Sequence, residues 1–132
     1  MNLCGPDPAT ATRLYAYATV VTWGEGLTAQ WGGDPLAEES AKLVVLSGFC
    51  EFSGKSPDDL IAYCFLRKRN GGELFVSLHR RLAVADLLRA FLQLESDIEA
   101  RTRAAIVLSF FIHNGIMMHT GMIGGAAQPP VR

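Results

Sequence analysis

The chain has 132 residues, of which 49% are hydrophobic and 19% are charged, so it is long and apolar enough to bury a core without metals or disulfides. Its formal net charge of −1 excludes a polycation, and its three cysteines, an odd number with no close pair, argue against a disulfide framework and a Cys-x-x-Cys zinc site. The cysteine content fits a reducing, cytoplasmic setting. We expect neither a signal peptide nor a membrane span, since the strongly apolar run from Ala104 to Ile112 is too short.

Residues 1–33 are predicted to form one helix followed by a loop that packs on the rest of the protein. The residues from Ala9 to about Trp23 are compatible with a helix. Four glycines then lie between positions 24 and 33, and glycine clusters are typical of loops. We therefore expect a loop here, with the side chains of Trp23 and Trp31 packed against the body of the protein.

Two helix starts carry strong capping signals. Asp34-Pro35 predicts a helix that ends near residues 53–54, because aspartate is a good N-cap and proline suits the first turn. Ser56-Pro57, followed by two aspartates, predicts a second helix start. The basic run at residues 67–69 suits the last turn of this helix, since cations stabilise the negative end of a helix dipole.

The second half of the chain is predicted to contain two further helices. Leu74–Val76 is a short apolar run that favours a strand, but without a partner run we interpret it as an extended connection. A helix over about 77–94 follows, and Ser96 with Glu99 forms a capping box that opens the last helix. That helix is predicted to reach His113, where an Asn-Gly pair stops it. The residues predicted on the inner face of the 77–94 helix are Leu78, Leu82, Ala85, Leu88 and Leu92.

Charge is distributed unevenly along the chain. Residues 1–50 contain two cations and five carboxylates, whereas residues 67–89 contain six cations and two carboxylates. A basic middle segment on a nearly neutral chain is compatible with a nucleic-acid-binding face. It is equally compatible with ordinary solvated helix surfaces, so the charge pattern alone leaves both interpretations open.

The sequence contains no catalytic or cofactor-binding template. There is no GxxxxGK phosphate loop, no GxGxxG between a strand and a helix, no HExxH and no GxSxG. His113 and His119 are six residues apart, a spacing that does not place two metal ligands on one helical face. Asp58 and Asp59 are interpreted as helix-start residues and not as a catalytic pair. We therefore predict no enzymatic activity, no metal and no cofactor.

The basic residues are the strongest functional signal. Arg67–Arg69 end one predicted helix and Arg80-Arg81 begin the next, an arrangement that would bring five cations to one edge for contact with phosphates. Residues 101–103 (Arg-Thr-Arg) lie in the first turns of the last predicted helix, where backbone N–H groups also favour phosphate. The alternative is that these two arginines pair with nearby carboxylates, which are Glu95, Asp97 and Glu99.

Two stretches of the sequence resemble a known protein family. One runs from Phe49 to Ile61 and contains Gly-Lys-Ser-Pro-Asp-Asp, and the other runs from Arg101 to Ile116 and contains Ser-Phe-Phe-Ile-His-Asn-Gly. Over residues 36–118 the chain resembles the N-terminal core-binding (SAM-like) domain of tyrosine recombinases of the phage-integrase type, with the catalytic domain of that family absent. The resemblance implies an orthogonal helical bundle that clamps one face of duplex DNA. It also implies contacts to the DNA backbone from Lys55, Thr102, Arg103 and His113.

Together these observations predict an all-α protein built as an orthogonal bundle of about four to five helices. Its parts are the N-terminal helix and loop (residues 1–33), a helical core-binding-like domain (34–118) and a tail or linker (119–132). The predicted function is non-catalytic binding of duplex DNA, mainly through phosphates. The predicted DNA-binding residues are Lys55, Arg67, Lys68, Arg69, Arg80, Arg81, Arg101, Thr102, Arg103 and His113.

The alternative function is a protein-interaction or oligomerisation module with an adaptable apolar surface. Met117, Met118 and Met122 would suit such a surface, because flexible methionine side chains adapt to different partners. The partner would then be another protein or a second copy of the chain, and we expect no membrane partner.

Overall fold

Helices make up most of the chain in the computed structural model, which describes residues 13–38, 41–93, 97–119 and 121. The described α-helices are α1 (Ala18–Trp31), α2 (Pro35–Glu38), α3 (Ala41–Ser53), α4 (Pro57–Tyr63), α5 (Leu78–Leu92) and α6 (Asp97–His113). A short hairpin lies between α4 and α5, with strands β1 (Phe65–Arg67) and β2 (Leu74–Val76) and a 3-10 turn at Arg69–Gly71. The predicted all-α fold class is confirmed. None of the described helices is long and apolar enough to cross a membrane.

Serine side chains cap the starts of two helices, of which the cap at Ser56 is predicted from the sequence. At the start of α4, the backbone N–H of Asp59 donates to the Oγ of Ser56 over 3.1 Å. At the start of α5, the backbone N–H of Arg80 donates to the Oγ of Ser77 over 3.2 Å. Each serine thereby satisfies a backbone donor that has no partner within its own helix, which is why both starts can be located from the sequence alone.

The remaining predicted helix boundaries have mixed outcomes. Helix α6 ends at His113 as predicted, and Gly115 follows with a left-handed backbone (φ 90°) that favours glycine. The predicted N-cap Ser96 lies outside the described residues. The single helix predicted from Asp34-Pro35 is seen as α2 and α3, and residues 39–40 between them also lie outside the described residues.

The hydrophobic core is organised around α6, which packs against α1, α3 and α5. The Trp23 ring of α1 is fully buried and meets the Phe110 ring of α6 edge-on, with ring centroids 5.5 Å apart. The indole Nε1 of Trp23 donates to the Oγ of Ser109 over 3.1 Å, so this large side chain is buried with its polar atom satisfied. Phe49 of α3 and Phe91 of α5 form a second aromatic pair, with centroids also 5.5 Å apart.

The prediction of a loop after Trp23 is wrong, because α1 continues without a break to Trp31. Gly24 and Gly26 lie inside this helix, although an interior glycine costs roughly 0.5–1 kcal/mol relative to alanine. Burial of Trp23 and Leu27, one helical turn apart, offsets that cost. The predicted packing of Trp31 is also wrong, since its side chain is 73% exposed.

The prediction that the helix starting at Ser56-Pro57 continues to residues 67–69 is wrong. Helix α4 ends at Tyr63, and the chain then enters β1. The strand partner of Leu74–Val76 is therefore residues 65–67, which the helical pattern concealed. Phe65 and Val76 face each other in the register and both pack against the core. The position of the cations suited a helix end locally, but burial of this cross-strand pair favours the hairpin.

The inner face predicted for α5 is correct only in the second half of the helix. Ala85, Leu88 and Leu92 are buried, as predicted. Leu78 is 58% exposed and Leu82 is 43% exposed, so the prediction is wrong for these two residues. The first two turns of α5 therefore leave two leucine side chains in contact with solvent.

Candidate nucleic-acid interface

The basic residues of the 67–69 run lie at the turn of the hairpin and not at a helix end. β1 and β2 are antiparallel, with Arg67 opposite Leu74 in the register. The backbone N–H of Lys68 donates to the carbonyl of Glu73 over 3.0 Å, and Gly71 supplies the left-handed residue of the turn (φ 71°). The tight connection holds the three cations next to one another at the end of the hairpin.

These three cations are exposed and have no acidic partner within the described part of the chain. The side chains of Arg67, Lys68 and Arg69 are all exposed to solvent. The Nη1 of Arg67 donates to the carbonyl of Gly72 over 3.0 Å, which holds its guanidinium beside the turn. Within the described residues, none of the three makes an ion pair with a carboxylate. The hairpin end therefore carries three positive charges against the single carboxylate of Glu73 in the same turn.

Two more predicted residues, Lys55 and Arg80, meet at the base of the hairpin. The Nζ of Lys55 and the Cζ of Arg80 each lie 4.9 Å from the centroid of the Tyr63 ring, so both cations interact with the ring electrons of the same side chain. The Nη1 of Arg80 also donates to the backbone carbonyl of Tyr63 over 3.1 Å. Tyr63 ends α4 just before β1 begins, so it gathers cations from two distant parts of the sequence at the hairpin.

Arg81, by contrast, is turned toward the protein. Its Nη1 donates to the backbone carbonyl of Met117 over 2.7 Å, and its Nε is buried without a hydrogen-bond partner among the described residues. The guanidinium therefore holds the segment that follows α6 against the start of α5. Arg81 is therefore primarily a structural residue, because its hydrogen bond joins α5 to the segment that follows α6.

The other predicted site residues lie on α6, whose main contacts are with α1, α3 and α5. Arg101 and Thr102 are exposed, and Arg103 is half-buried. The ring of His113 packs against the backbone of α1 at Gly26, where an added Cβ would lie 2.3 Å from the His113 Nδ1. The structure therefore brings Lys55, Arg80 and the hairpin cations into one region and places the α6 residues on a different element.

Sequence reasoning missed one contributor to this region, Tyr63, and one tertiary contact outside it, made by Asp58. No local pattern marks Tyr63 as the residue that collects Lys55 and Arg80, because the three are joined only by tertiary contacts. Asp58 has a second role beside its place at the start of α4. Its Oδ1 accepts hydrogen bonds from the backbone N–H and the hydroxyl of Thr19, at 3.0 and 2.5 Å.

No metal-binding or nucleophilic centre stands out in the described residues. They contain no group of three or more His, Cys, Asp or Glu side chains placed to hold a metal ion. Burial raises the pKa of the Cys50 thiol to about 12 and that of the Cys64 thiol to about 11, the latter against the opposing charges of Arg81 and Arg80. Neither thiol is a ready thiolate near neutral pH. The absence of enzymatic activity and of a metal stays a prediction.

Comparisons with models of protein families, with curated proteins and with solved structures find no match to this chain. The resemblance to the core-binding domain of tyrosine recombinases therefore stays an expectation from the sequence.

Proposed function

We propose that the protein binds duplex DNA without catalysis, mainly through phosphates, and that the hairpin end formed by Arg67, Lys68 and Arg69 is the principal contact. The observation that carries the proposal is the exposure of three adjacent cations with no acidic partner in the described residues. Such cations repel one another, and DNA phosphates relieve that repulsion while releasing condensed counterions.

The arrangement of the neighbouring cations supports binding to more than one phosphate group of the DNA. Lys55 and Arg80 lie at Tyr63, at the base of the hairpin, and the other three cations lie at its turn. A three-residue strand is about 10 Å long, so the cations at the turn and those at the base are far enough apart to contact different phosphates. The Tyr63 ring restrains the two cations at the base, which lowers the entropy lost on binding.

The composition of this surface favours phosphate contacts over base recognition. Three of the four exposed charged residues at this turn are cations, with Glu73 the fourth, and no helix with a dense array of Asn, Gln and Arg accompanies them in the described residues. Binding should therefore show little sequence preference. The resemblance of residues 36–118 to a DNA-clamping domain is a second support for the proposal.

The salt dependence of binding tests the proposal. With four to six phosphates neutralised, the slope of log K against log salt should be about −4 to −5. The triple variant Arg67→Gln, Lys68→Gln, Arg69→Gln should flatten the slope by up to about three units, because each lost phosphate contact removes nearly one. Mobility-shift titrations at several salt concentrations measure both slopes, and circular dichroism checks that the variant folds.

A control with the same change in net charge is the triple variant Arg13→Gln, Lys42→Gln, Arg89→Gln, whose residues lie before α1, in α3 and in α5 and not in the hairpin. It should leave the slope nearly unchanged. An equal flattening by the control, or the absence of any complex at about 100 μM protein and low salt, would contradict the proposal. The pair Arg101→Gln with Arg103→Gln then reports whether α6 also contacts DNA, in which case the slope flattens by up to about two units.

We also propose a cytoplasmic location. Cys50 and Cys64 are free thiols in the structure, a state that a reducing compartment maintains.

A further inference from the structure

Exposed apolar side chains lie beside the basic end of the hairpin and form a surface that we call the basic apolar surface. Leu74 of β2 lies opposite Arg67 of β1, so the two side chains share one face of the hairpin. Leu78 and Leu82 lie one helical turn apart at the start of α5. Met117 joins them, because Arg81 of α5 holds its backbone carbonyl. The exposed fractions range from 43% for Leu82 to 66% for Met117. The members of the basic apolar surface are Leu74, Leu78, Leu82 and Met117, with the cations Arg67, Lys68 and Arg69.

Solvent exposure of several large apolar side chains in one region is unfavourable for an isolated molecule. Burying a leucine fully contributes roughly 1.5–3 kcal/mol relative to leaving it exposed. Adjacent exposed apolar residues with a polar rim are typical of surfaces that bind a partner. Three cations that make no ion pair with any described residue lie at the rim, and they favour a partner that carries negative charge.

The same chain has a second surface of complementary character, which we call the acidic groove. This groove of about 660 Å³ lies along α1 and α2, and Glu25 and Asp34 supply its negative charge. Tyr15 and Val21 line it and are each about 40% exposed. Tyr15 and Asp34 both line the groove, and burial and then the nearby Asp34 carboxylate raise the pKa of the Tyr15 hydroxyl.

We propose that the partner of the basic apolar surface is a second copy of this chain, whose acidic groove receives the exposed leucines and faces the hairpin cations. Both surfaces expose apolar side chains, and their charges are opposite. Trp31, 73% exposed at the end of α1, adds a large apolar side chain close in sequence to groove residues Thr28 and Asp34. The proposal does not depend on DNA binding, because its contacts are between protein surfaces.

The two surfaces share no residue, so the contact joins different patches of the two copies. Contacts of this kind leave one free surface at each end of a pair and continue into chains, or close into a ring if the rotation allows it. We expect sedimentation velocity to show species larger than a dimer as the concentration rises from micromolar to millimolar. The association should weaken in about 1 M NaCl, where the Debye length is about 3 Å and the rim charges are screened.

Two double variants, each replacing exposed side chains with glutamine, separate the two surfaces. Leu74→Gln with Leu78→Gln disables the basic apolar surface, and Val21→Gln with Glu25→Gln disables the acidic groove. All four residues are exposed, so both variants should fold. Each variant alone should lose self-association by at least about tenfold, because the lost apolar burial exceeds the free energy of one decade in affinity. An equimolar mixture should form a heterodimer that grows no further, since each copy retains one intact surface of the other kind.

The control is Val44→Gln with Ile112→Gln, which removes two exposed apolar residues outside both surfaces and should leave association unchanged. A wild-type protein that stays monomeric up to millimolar concentration at low salt would overturn the proposal. A mixture of the two surface variants that stays monomeric would also overturn it. All these measurements are made without nucleic acid. A failure of self-association can therefore be distinguished from a failure of DNA binding, which the mobility-shift titrations measure.

Discussion

Gly26 of α1 lies directly against the His113 ring of α6. A Cβ added there would lie 2.3 Å from the Nδ1 of His113 and 2.9 Å from its Cγ, closer than real side-chain atoms approach. Gly48, also inside a helix, has its nearest neighbour, the Phe91 ring, at 3.4 Å from the added Cβ. Both glycines lie inside α-helices, Gly26 in α1 and Gly48 in α3, but the space around them differs. They therefore form a matched pair for substitution.

We expect Gly26→Ala to destabilise the protein by about 1–3 kcal/mol, because His113 must leave its place or the helices must separate. Gly48→Ala should instead gain up to about 1 kcal/mol, since alanine loses less backbone entropy than glycine in a helix. Urea unfolding of both variants measures the difference. Equal stabilities of the two variants would contradict the close packing of His113 on α1.

At the scale of elements, Asp58 connects helices that are far apart in the sequence. Helix α1 begins after Tyr17, which provides no side-chain cap. Asp58 of α4 supplies the missing acceptor by binding the backbone N–H and the hydroxyl of Thr19 in the first turn of α1. Asn114 completes the connection, since its Nδ2 donates to the carbonyls of Thr19 and Phe110 at 3.1 and 2.9 Å. The starts of α1 and α4 and the end of α6 are thus joined by side-chain hydrogen bonds.

Asp58→Ala should therefore lower the free energy of unfolding by about 1.5–3 kcal/mol, the range for hydrogen bonds to a charged group. The matched control is Asp59→Ala, because Asp59 is exposed, occupies the same first turn and interacts with the same helix dipole. Its loss should cost about 0.3–1 kcal/mol. Thermal or urea unfolding measures both costs. Equal costs would show that the stability contributed by Asp58 comes from the helix dipole and not from its hydrogen bonds to Thr19.

At the scale of the whole molecule, the buried thiols predict how stability depends on pH. Burial raises the pKa of Cys50 to about 12 and that of Cys64 to about 11, from an ordinary value of 9.0. The folded state thus holds these protons more tightly than the unfolded state. The stability that this supplies is fully present below about pH 9 and is lost as the pH rises toward 11 and 12.

We expect the free energy of unfolding, measured with urea, to fall between about pH 8 and about pH 10. The fall should be smaller in Cys50→Ala, because that variant lacks one of the two thiols while its other titrating groups are unchanged. The same fall in both proteins would contradict the burial of the Cys50 thiol.

The sequence by itself determined the features that depend on neighbouring residues. The all-α class, the helix starts after Ser56 and Ser77 and the end of α6 before Gly115 follow from capping and backbone preference, which act within one helical turn. The basic composition of residues 67–69 was also visible, and it is the core of the candidate interface.

Tertiary structure alone decided the features that depend on distant contacts. Glycine-rich α1 is a helix because Trp23 and Leu27 are buried against other elements, and Phe65 leaves the predicted helix because Val76 pairs with it. The same limit applies to the site: no local signal shows that Arg80 and Lys55 share Tyr63 or that Arg81 turns inward to Met117. The physical reason is that burial and long-range hydrogen bonds outweigh intrinsic preferences of about 1 kcal/mol per residue, and they exist only once the chain has folded.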